Sequence, residues 1–247
     1  MSDLPIALAC RGLTKRYGRV TALRSVDLSV PAGDCVALFG RNGAGKTTLL
    51  QIIGSLIASY EGSAEVFGQR VKRADAEHRR ALGLVLHDTC LYLDLSVLDN
   101  LRFFGRLYRL PDPDARAHEL LQEFDLEHRA HSVARELSRG MKQRLALARA
   151  VVHHPRLLLL DEPFTGLDEL SSQSLSGMLS KFTKDGGTVL MSTHDVERAF
   201  DSATRAVILD RGVITFDRST QDLDAATFRH AYWNVLFTGA TPAGAGA

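Results

Sequence analysis

The sequence predicts an α/β protein built on a mostly parallel sheet. Short, largely apolar runs recur at residues 35–39, 157–160, 188–192 and 206–209, as expected of strands that are buried on both faces of such a sheet. Segments with helical spacing of apolar residues alternate with these runs. The chain has 247 residues, 45% of them hydrophobic, which is enough for one large core without crosslinks.

The first half of the core is predicted from turn residues and apolar spacing. The first thirty residues alternate in short β-like runs, of which the last covers residues 20–30. The strand at residues 35–39 ends in a glycine-rich stretch that leads into a helix at residues 47–57. A further strand pair is predicted at residues 63–67 and 82–86.

The middle of the chain changes to a helical pattern. Ser96 and Asp99 fit a capping box at the start of one helix. Asp112 followed by Pro113 fits an N-cap and first helical position of a second helix. The sequence therefore predicts a helical lobe at about residues 89–137, inserted into the α/β core.

Beyond the lobe the core pattern resumes, and the chain ends in a segment of different composition. We predict one domain over residues 1–237 and a disordered tail over residues 238–247, which contain only Gly, Ala, Thr and Pro. The remaining predicted elements are a helix at 138–153, a strand at 156–160, a helix capped by Asp168, and strands at 188–192 and 206–209.

Charge and cysteine content narrow the classes of function. Lys and Arg number 30 and Asp and Glu number 29, a formal net charge of +1, so no nucleic-acid partner is expected. Cys10, Cys35 and Cys90 have the spacing of neither a disulfide framework nor a zinc site, which favours reduced cytosolic thiols. The apolar runs fall far short of the roughly 18 residues that a membrane span needs. The N-terminus lacks the pattern of a signal peptide.

A phosphate-binding motif, G-x-x-x-x-G-K-[ST], occupies residues 40–47 between an apolar strand and a helix. Its glycines let backbone N–H groups turn inward around phosphate oxygens, and the helix adds its positive end. Lys46 is predicted to reach the β- and γ-phosphates, and the Thr47 hydroxyl to bind Mg²⁺. A chance glycine turn is the alternative, which the strand–loop–helix context disfavours. The predicted ATP-binding residues here are Gly40, Arg41, Asn42, Gly43, Ala44, Gly45, Lys46, Thr47 and Thr48.

A second motif places two carboxylates, Asp161 and Glu162, directly after a buried strand. Open α/β sheets bind ligands at this end of their strands. Asp161 is predicted to join the Mg²⁺ shell, directly or through water, and Glu162 to polarise the water that attacks the γ-phosphate. An acidic turn with no catalytic role is the alternative, and the neighbouring phosphate loop makes it the weaker one.

Three further segments follow in a fixed order: L-S-R-G-M at residues 137–141, G-L-D at residues 166–168 and S-T-H-D at residues 192–195. With them, the chain resembles the ATP-binding subunit of an ABC transporter over about residues 5–220. The resemblance implies a P-loop NTPase fold of ABC type, with an N-terminal antiparallel β subdomain and an inserted helical lobe. It also implies ATP and Mg²⁺ as ligands, a head-to-tail homodimer that forms on ATP, and integral membrane permease subunits bound at the cytoplasmic face of the cell membrane.

The resemblance also implies roles for the residues of this chain that match the functional positions of the family. Ser138 and Gly140 stand at the second and fourth positions of the family signature L-S-G-G-Q, which faces the γ-phosphate bound by the other subunit. A plain helix N-cap is the alternative for Ser138. Asp168 is expected to touch the opposite subunit's phosphate loop. His194 matches the histidine that contacts the γ-phosphate and holds Glu162, and Tyr17 matches the aromatic residue that stacks on adenine.

The chain departs from the family at two places. The family's glutamine, whose oxygen meets Mg²⁺ and whose loop contacts the membrane subunit, falls at Asp88, or at His87 in another register. We prefer Asp88, whose shorter carboxylate would reach the metal through water. Arg139 and Met141 replace a glycine and a glutamine of the signature, and ATP hydrolysis is expected to survive both.

The finer resemblance concerns the branch of the family. Residues 91–104, 136–145 and 161–168 resemble the haem-exporter branch, which serves cytochrome c maturation. Drug and polysaccharide exporter ATPases share much of this sequence, so a drug or a polysaccharide remains an alternative cargo. A soluble ABC ATPase that acts on ribosomes or DNA-repair complexes is a third alternative, disfavoured because the chain carries one module and no long coiled-coil insertion.

Overall fold

The fold comes from a computed structural model, which describes residues 5–72, 75–86 and 88–238. His87 and residues 239–247 of the predicted tail lie outside the described residues. In the described part, ten strands and eight α-helices form two sheets with helices around them. The strands are β1 Ile6–Tyr17, β2 Val20–Pro31, β3 Cys35–Phe39, β4 Glu61–Val66, β5 Gln69–Arg70, β6 Leu82–Val85, β7 Leu157–Asp161, β8 Thr188–Thr193, β9 Arg205–Asp210 and β10 Val213–Ser219. The helices are α1 Lys46–Ile53, α2 Ala76–Ala81, α3 Val97–Leu107, α4 Pro113–Glu123, α5 Arg139–Val151, α6 Glu169–Lys184, α7 Val196–Phe200 and α8 Ala225–Thr238.

The main sheet has six strands in the order β10-β9-β3-β8-β7-β6. Five of them run parallel, and β10 lies antiparallel to β9 at one edge. A second sheet, with the order β2-β1-β4-β5, is antiparallel and is formed by the N-terminal part of the chain. The predicted α/β class, with a mostly parallel core sheet and an N-terminal antiparallel unit, is confirmed.

The strand pair predicted at residues 63–67 and 82–86 is wrong as a pair. Both strands exist, but β4 pairs with β1 in the antiparallel sheet, whereas β6 pairs with β7 at the edge of the main sheet. The burial of the two strands explains the difference. Strand β4 is only partly buried, as in a sheet with one solvated face, and β6 is almost wholly covered.

Two hydrophobic cores lie on opposite faces of the main sheet, and β3 supplies both because its side chains alternate. Ala37 and Phe39 belong to the core that this face shares with helices α3 to α8. Val36 and Leu38 belong to the core shared with α1 and the antiparallel sheet. Since all five residues of β3 are buried, the strand is held on both sides and fixes the start of the loop that follows it.

The predicted helix starts are confirmed where a capping side chain marks them. The Ser96 hydroxyl accepts a hydrogen bond from the Asp99 backbone N–H (3.0 Å) at the start of α3. The Asp112 carboxylate accepts one from Ala115 (2.9 Å) at the start of α4. The helix predicted at residues 47–57 ends earlier, at Ile53, because Gly54 and the left-handed backbone that follows close it.

The C-terminal helix α8 has no counterpart among the predicted elements. It packs on the main core through Phe228, Tyr232 and Val235, which are all buried. Its last residue, Thr238, is also the first residue of the predicted tail. Among the described helices none combines the length and apolarity that crossing a membrane requires.

Candidate functional site

The candidate site forms where three neighbouring parallel strands end. Strand β8 lies between β3 and β7, with Phe39 opposite Thr193 and Asp161 opposite Ser192. The phosphate loop, the acidic pair and His194 follow these strands directly, so the sheet brings together residues that lie far apart in the sequence. This is the edge at which open α/β sheets bind ligands.

The phosphate loop needs glycine at both ends for steric reasons. A Cβ atom on Gly40 would lie 2.3 Å from the Leu209 carbonyl oxygen, well inside contact distance. Gly45 has a φ of +110°, and a Cβ there would lie 2.5 Å from the Ala22 carbonyl oxygen. The loop therefore passes closely against β9 and β2 and delivers α1 with its N-terminus facing the open cleft.

Lys46 is buried inside the loop, with 6% of its surface exposed. Its Nζ donates a hydrogen bond to the Gly40 carbonyl oxygen (2.7 Å) and lies 3.6 Å from Glu162 Oε1. Burial lowers the pKa of Lys46, and the carboxylates of Glu162 and Asp161 oppose that shift. A cation with so little hydration gains strongly from a phosphate oxygen, so Lys46 is prepared for an anionic ligand.

Asp161 lies under the loop with 4% of its surface exposed. The Thr47 hydroxyl donates a hydrogen bond to Asp161 Oδ2 (2.8 Å), and the Ser192 hydroxyl donates one to Oδ1. Carboxylate and hydroxyl oxygens are the hard ligands that Mg²⁺ prefers in nucleotide sites. The predicted metal residues Thr47 and Asp161 are therefore adjacent and chemically suited to that ion.

Glu162 and His194 form the second polar pair of the site. His194 Nδ1 lies 2.9 Å from Glu162 Oε2, and the Glu162 backbone N–H donates to the Ser192 carbonyl oxygen (2.9 Å). Glu162 has a φ of 53°, in the left-handed region that non-glycine residues rarely adopt. Such backbone strain is held by the surrounding structure and is concentrated at functional sites.

A cleft of about 400 Å³ connects the phosphate loop to Tyr17. The Tyr17 ring is half-exposed, and Lys15 Nζ lies 4.9 Å from its centroid. This arrangement provides an aromatic face at one end of the cleft and the Lys46 cation at the other. The lining includes Tyr17, Arg41, Asn42, Gly43, Ala44, Gly45, Lys46, Thr47, Thr48, Asp161 and Glu162.

The signature and the G-L-D segment stand apart from this cleft. Ser138 caps α5 by accepting a hydrogen bond from the Met141 N–H (3.2 Å), and Asp168 caps α6 by accepting one from the Ser171 N–H (2.8 Å). Both caps are exposed, and neither they nor Gly140 are among the described residues that line the cleft. The N-cap interpretation of Ser138 thus describes its contacts inside one chain.

The two departures from the family pattern also have defined surroundings. The Arg139 side chain covers Gly166, where a Cβ atom would lie 2.6 Å from Arg139 Nε. Asp88 is exposed and accepts a hydrogen bond from the Cys90 N–H (3.1 Å), and it faces the charge of Arg149. Asp88 is not among the described residues of the cleft, so its metal role stays a prediction.

The C-terminal helix α8 also borders this region, a position that the sequence motifs do not predict. A neighbouring cleft of about 540 Å³ is shared between α8, the phosphate loop and the segment after β8. Apolar residues at positions 228, 232 and 235 have helical spacing and were the available signal. The residues that line this cleft are Arg41, Asn42, His194, Asp195, Val196, Glu197, Arg229, Tyr232 and Trp233.

Comparison with known proteins identifies the family. The family model described as "ABC transporter" matches residues 23–165, more than half of the chain. The chain belongs to this family. The match covers both the phosphate loop and the acidic pair of Asp161 and Glu162.

Curated relatives in the ABC family have varied cargoes. Nod factor export ATP-binding protein I of Cupriavidus pinatubonensis is 36% identical over 211 residues, which cover 85% of this chain and 65% of that protein. Daunorubicin resistance ATP-binding protein DrrA3 of Streptomyces coeruleorubidus is 36% identical, covering 90% of this chain and 71% of that protein. Aliphatic sulfonates import ATP-binding protein SsuB 2 of Pseudomonas aeruginosa is 38% identical, covering 86% and 75%. The chain thus spans about two thirds to three quarters of these relatives.

Solved ABC cassettes match most of the fold. A dimeric structure of the bacterial ABC transporter cassette MJ0796 is 29% identical, covers 86% of this chain and 98% of that chain, and superposes with a TM-score of 0.80. A post-hydrolysis state of the same cassette bound to ADP and Pi gives a TM-score of 0.79. The chain is an ATP-binding and ATP-hydrolysing subunit of the ABC family.

Proposed function

We propose that this ABC ATPase drives transport through separate integral membrane permease subunits, to which it binds at the cytoplasmic face of the membrane. The observation that carries the proposal is the preassembled group of Lys46, Asp161, Glu162 and His194 at one sheet edge. The relatives named for export or import of a cargo support a transport role. The near-neutral net charge gives no support to a nucleic-acid partner.

The residues of the cleft suit hydrolysis of the γ-phosphate. Lys46 exchanges the Gly40 carbonyl for phosphate oxygens, and Tyr17 stacks on adenine. Thr47 and Asp161 would hold Mg²⁺, which would supply positive charge to offset the charge of the phosphates. Glu162 orients the attacking water and accepts its proton as the new P–O bond forms and the bond to the leaving ADP oxygen breaks. His194 keeps Glu162 in place through Nδ1 and directs its other ring nitrogen to the γ-phosphate.

The exposed signature favours a second copy of the chain as the partner that completes the site. In a head-to-tail homodimer the Ser138 hydroxyl, the N–H groups near Gly140 and the α5 helix dipole would face the γ-phosphate held by the other subunit. Asp168 would contact the opposite phosphate loop. The dimeric cassette of 29% identity supports this arrangement. ATP would then close the dimer, and hydrolysis would reopen it.

Three parallel purifications test the transport role. Tagged wild-type chain and Glu162→Gln are purified from native membranes in mild detergent, with Lys46→Ala as the matched variant that fails to hold ATP. A multispan membrane protein recovered with the wild type supports the proposal, and Glu162→Gln should bind ATP, hydrolyse poorly and accumulate as a dimer. Recovery of ribosomal or repair proteins without a membrane partner would overturn it.

For the cargo we propose haem export for cytochrome c biogenesis, on the resemblance of residues 91–104 to that branch. The relatives named above carry other cargoes, so drug and polysaccharide export are the competing candidates. A deletion strain should lose the cytochromes c with covalently attached haem, as detected by haem staining of a denaturing gel. The wild-type chain should restore them, and Glu162→Gln should not. Normal cytochrome c levels in the deletion strain would overturn haem as the cargo and leave the transport role standing.

A further inference from the structure

The aromatic ring at the far end of the ATP cleft belongs to an exposed side chain at the end of a strand. Tyr17 is the last residue of β1, it is 47% exposed, and Gly18 follows it with a left-handed φ of +56°. A half-exposed ring at such a place retains rotamer freedom, which it loses when a ligand stacks on it. A neighbour that restrains the ring before the ligand arrives would therefore strengthen binding.

Lys15 supplies such a contact. Its Nζ lies 4.9 Å from the centroid of the Tyr17 ring, within the distance of a cation–π contact. The same Nζ donates a hydrogen bond to the Ser59 carbonyl oxygen (2.6 Å), which lies in the loop between α1 and β4. The ammonium group is thus held between a backbone acceptor and the ring, and it connects the end of β1 to the loop that follows the helix of the phosphate-binding motif.

The ammonium group covers one face of the ring and leaves the other face for a ligand. Tyr17 lines the cleft together with the phosphate loop, whereas Lys15 is not among the described residues of that lining. The open face is therefore the one turned to the cleft. An aromatic face carries negative charge density, and a cation on the far side draws part of it away. The open face then repels the π-electrons of a stacked purine less strongly.

We propose that Lys15 is a positioning residue for ATP binding, which orients the Tyr17 ring and prepares its open face for adenine. The inference rests on the proposed stacking role of Tyr17. It extends that role by assigning part of the recognition of the base to a cation that touches the ring and not the nucleotide. Because the base is held alike before and during hydrolysis, Lys15 lowers KM for ATP and leaves kcat unchanged.

The first test separates recognition of the base from recognition of the phosphates. Steady-state hydrolysis gives KM for ATP and the inhibition constant of inorganic triphosphate, which has no base. In Lys15→Ala we expect KM to rise about three- to fivefold, the effect of losing an exposed cation–π contact, while kcat and the inhibition constant stay within about 1.5-fold. Lys15→Arg keeps a cation beside the ring and should restore KM. Arg16→Ala is the matched control, because this exposed cation is the next residue and a strand directs consecutive side chains to opposite sides.

The second test asks whether Lys15 acts through Tyr17. Tyr17→Ala should raise KM for ATP at least about fivefold, the effect of losing one stacked base. Adding Lys15→Ala to that variant should cause no further rise, because residues that act as a unit are non-additive. An unchanged KM in Lys15→Ala, or an equal rise in the inhibition constant of triphosphate, would overturn the inference. An unchanged KM in Tyr17→Ala would instead overturn the proposed stacking role itself.

Discussion

The two halves of the proposed ATP site differ in how far one chain completes them. Lys46 and Asp161 are almost fully buried. The Lys46 ammonium donates a hydrogen bond to the Gly40 carbonyl of the loop, and the Asp161 carboxylate accepts one from the Thr47 hydroxyl of α1. Ser138 and Asp168 are exposed, and their side chains bond to the N–H groups of their own helices. The phosphate-loop half is therefore part of the folded core, whereas the signature half is presented on the surface.

Because of this difference, substitutions in the two halves should affect the free energy of unfolding and ATP hydrolysis to different extents. A substitution in the buried half removes a partner from a polar network in the core, and so it affects the free energy of unfolding as well as ATP binding. A substitution in the exposed half removes little besides a helix cap, so a large effect on hydrolysis there would come from a second molecule. Four experiments probe this contrast.

The largest effect is expected from Lys46→Ala. Loss of the buried cation removes the group that we propose binds the β- and γ-phosphates, and steady-state hydrolysis should fall by at least about 100-fold. Lys181→Ala, at an exposed lysine on α6, is the control and should keep wild-type activity. More than a tenth of the wild-type rate in Lys46→Ala would contradict the assignment of the phosphate loop.

A mixing experiment tests whether the signature half acts on another chain. Lys46→Ala and Ser138→Arg should each be inactive alone. Because a mixed head-to-tail dimer keeps one intact site, an equal mixture should regain about a quarter of the wild-type rate. A mixture of Lys46→Ala with Thr47→Ala, both in the buried half, is the control and should stay inactive. No recovery in the first mixture would sink the dimer arrangement.

His153 follows the C-terminal end of α5, the helix that begins at the signature. We expect this histidine to make the free energy of unfolding depend on pH. Burial lowers the pKa of His153 from 6.5 to about 4, and its ring stacks on Tyr108 at 3.7 Å. Between these two values the unfolded chain binds more protons than the folded chain, so the folded state loses stability as pH falls from about 6.5 to about 4, on the order of 2 kcal/mol. Urea unfolding of His153→Gln should show a flatter dependence, and the exposed His128→Gln should follow the wild type. Equal slopes in all three would refute the role of His153.

The smallest effect is expected from Asp88→Gln, which restores the amide of the family pattern. Because Asp88 lies outside the cleft, the rate of the isolated subunit should change less than about twofold. In a complex with the proposed permease, we expect a gain of about twofold in stimulated hydrolysis, as the amide would offer Mg²⁺ an oxygen without a second negative charge. Asp94→Asn, at another exposed carboxylate, is the control. An unchanged stimulated rate would show that the aspartate does not weaken coupling.

The sequence predicts the conformation of the phosphate loop because the requirements of that loop are local. Gly40, Gly45 and Lys46 are fixed by steric contacts and phosphate chemistry within one loop, and the buried strands on either side are plain apolar runs. Helix starts were predictable for the same reason, since a cap such as Asp112 acts on residues three positions away.

The rest depends on long-range contacts that leave no local pattern. Strands β4 and β6 are similar short runs, and only tertiary pairing assigns them to different sheets. Helix α8 carries apolar residues on its exposed side as well, including Phe237, so its buried stripe of Phe228, Tyr232 and Val235 is hard to recognise. The ring contact of Tyr232 with Phe39 joins residues that lie far apart in the sequence, which no motif encodes.

The indole of Trp233 gives this protein an optical reporter of its own. It is the single tryptophan of the chain, it is half-exposed, and it lines the cleft with Asn42 and His194. Since fluorescence of an indole responds to nearby charge and to water, the emission of the isolated subunit reports on the cleft beside the proposed ATP site. Binding of unmodified ATP can therefore be followed by light without attaching a dye.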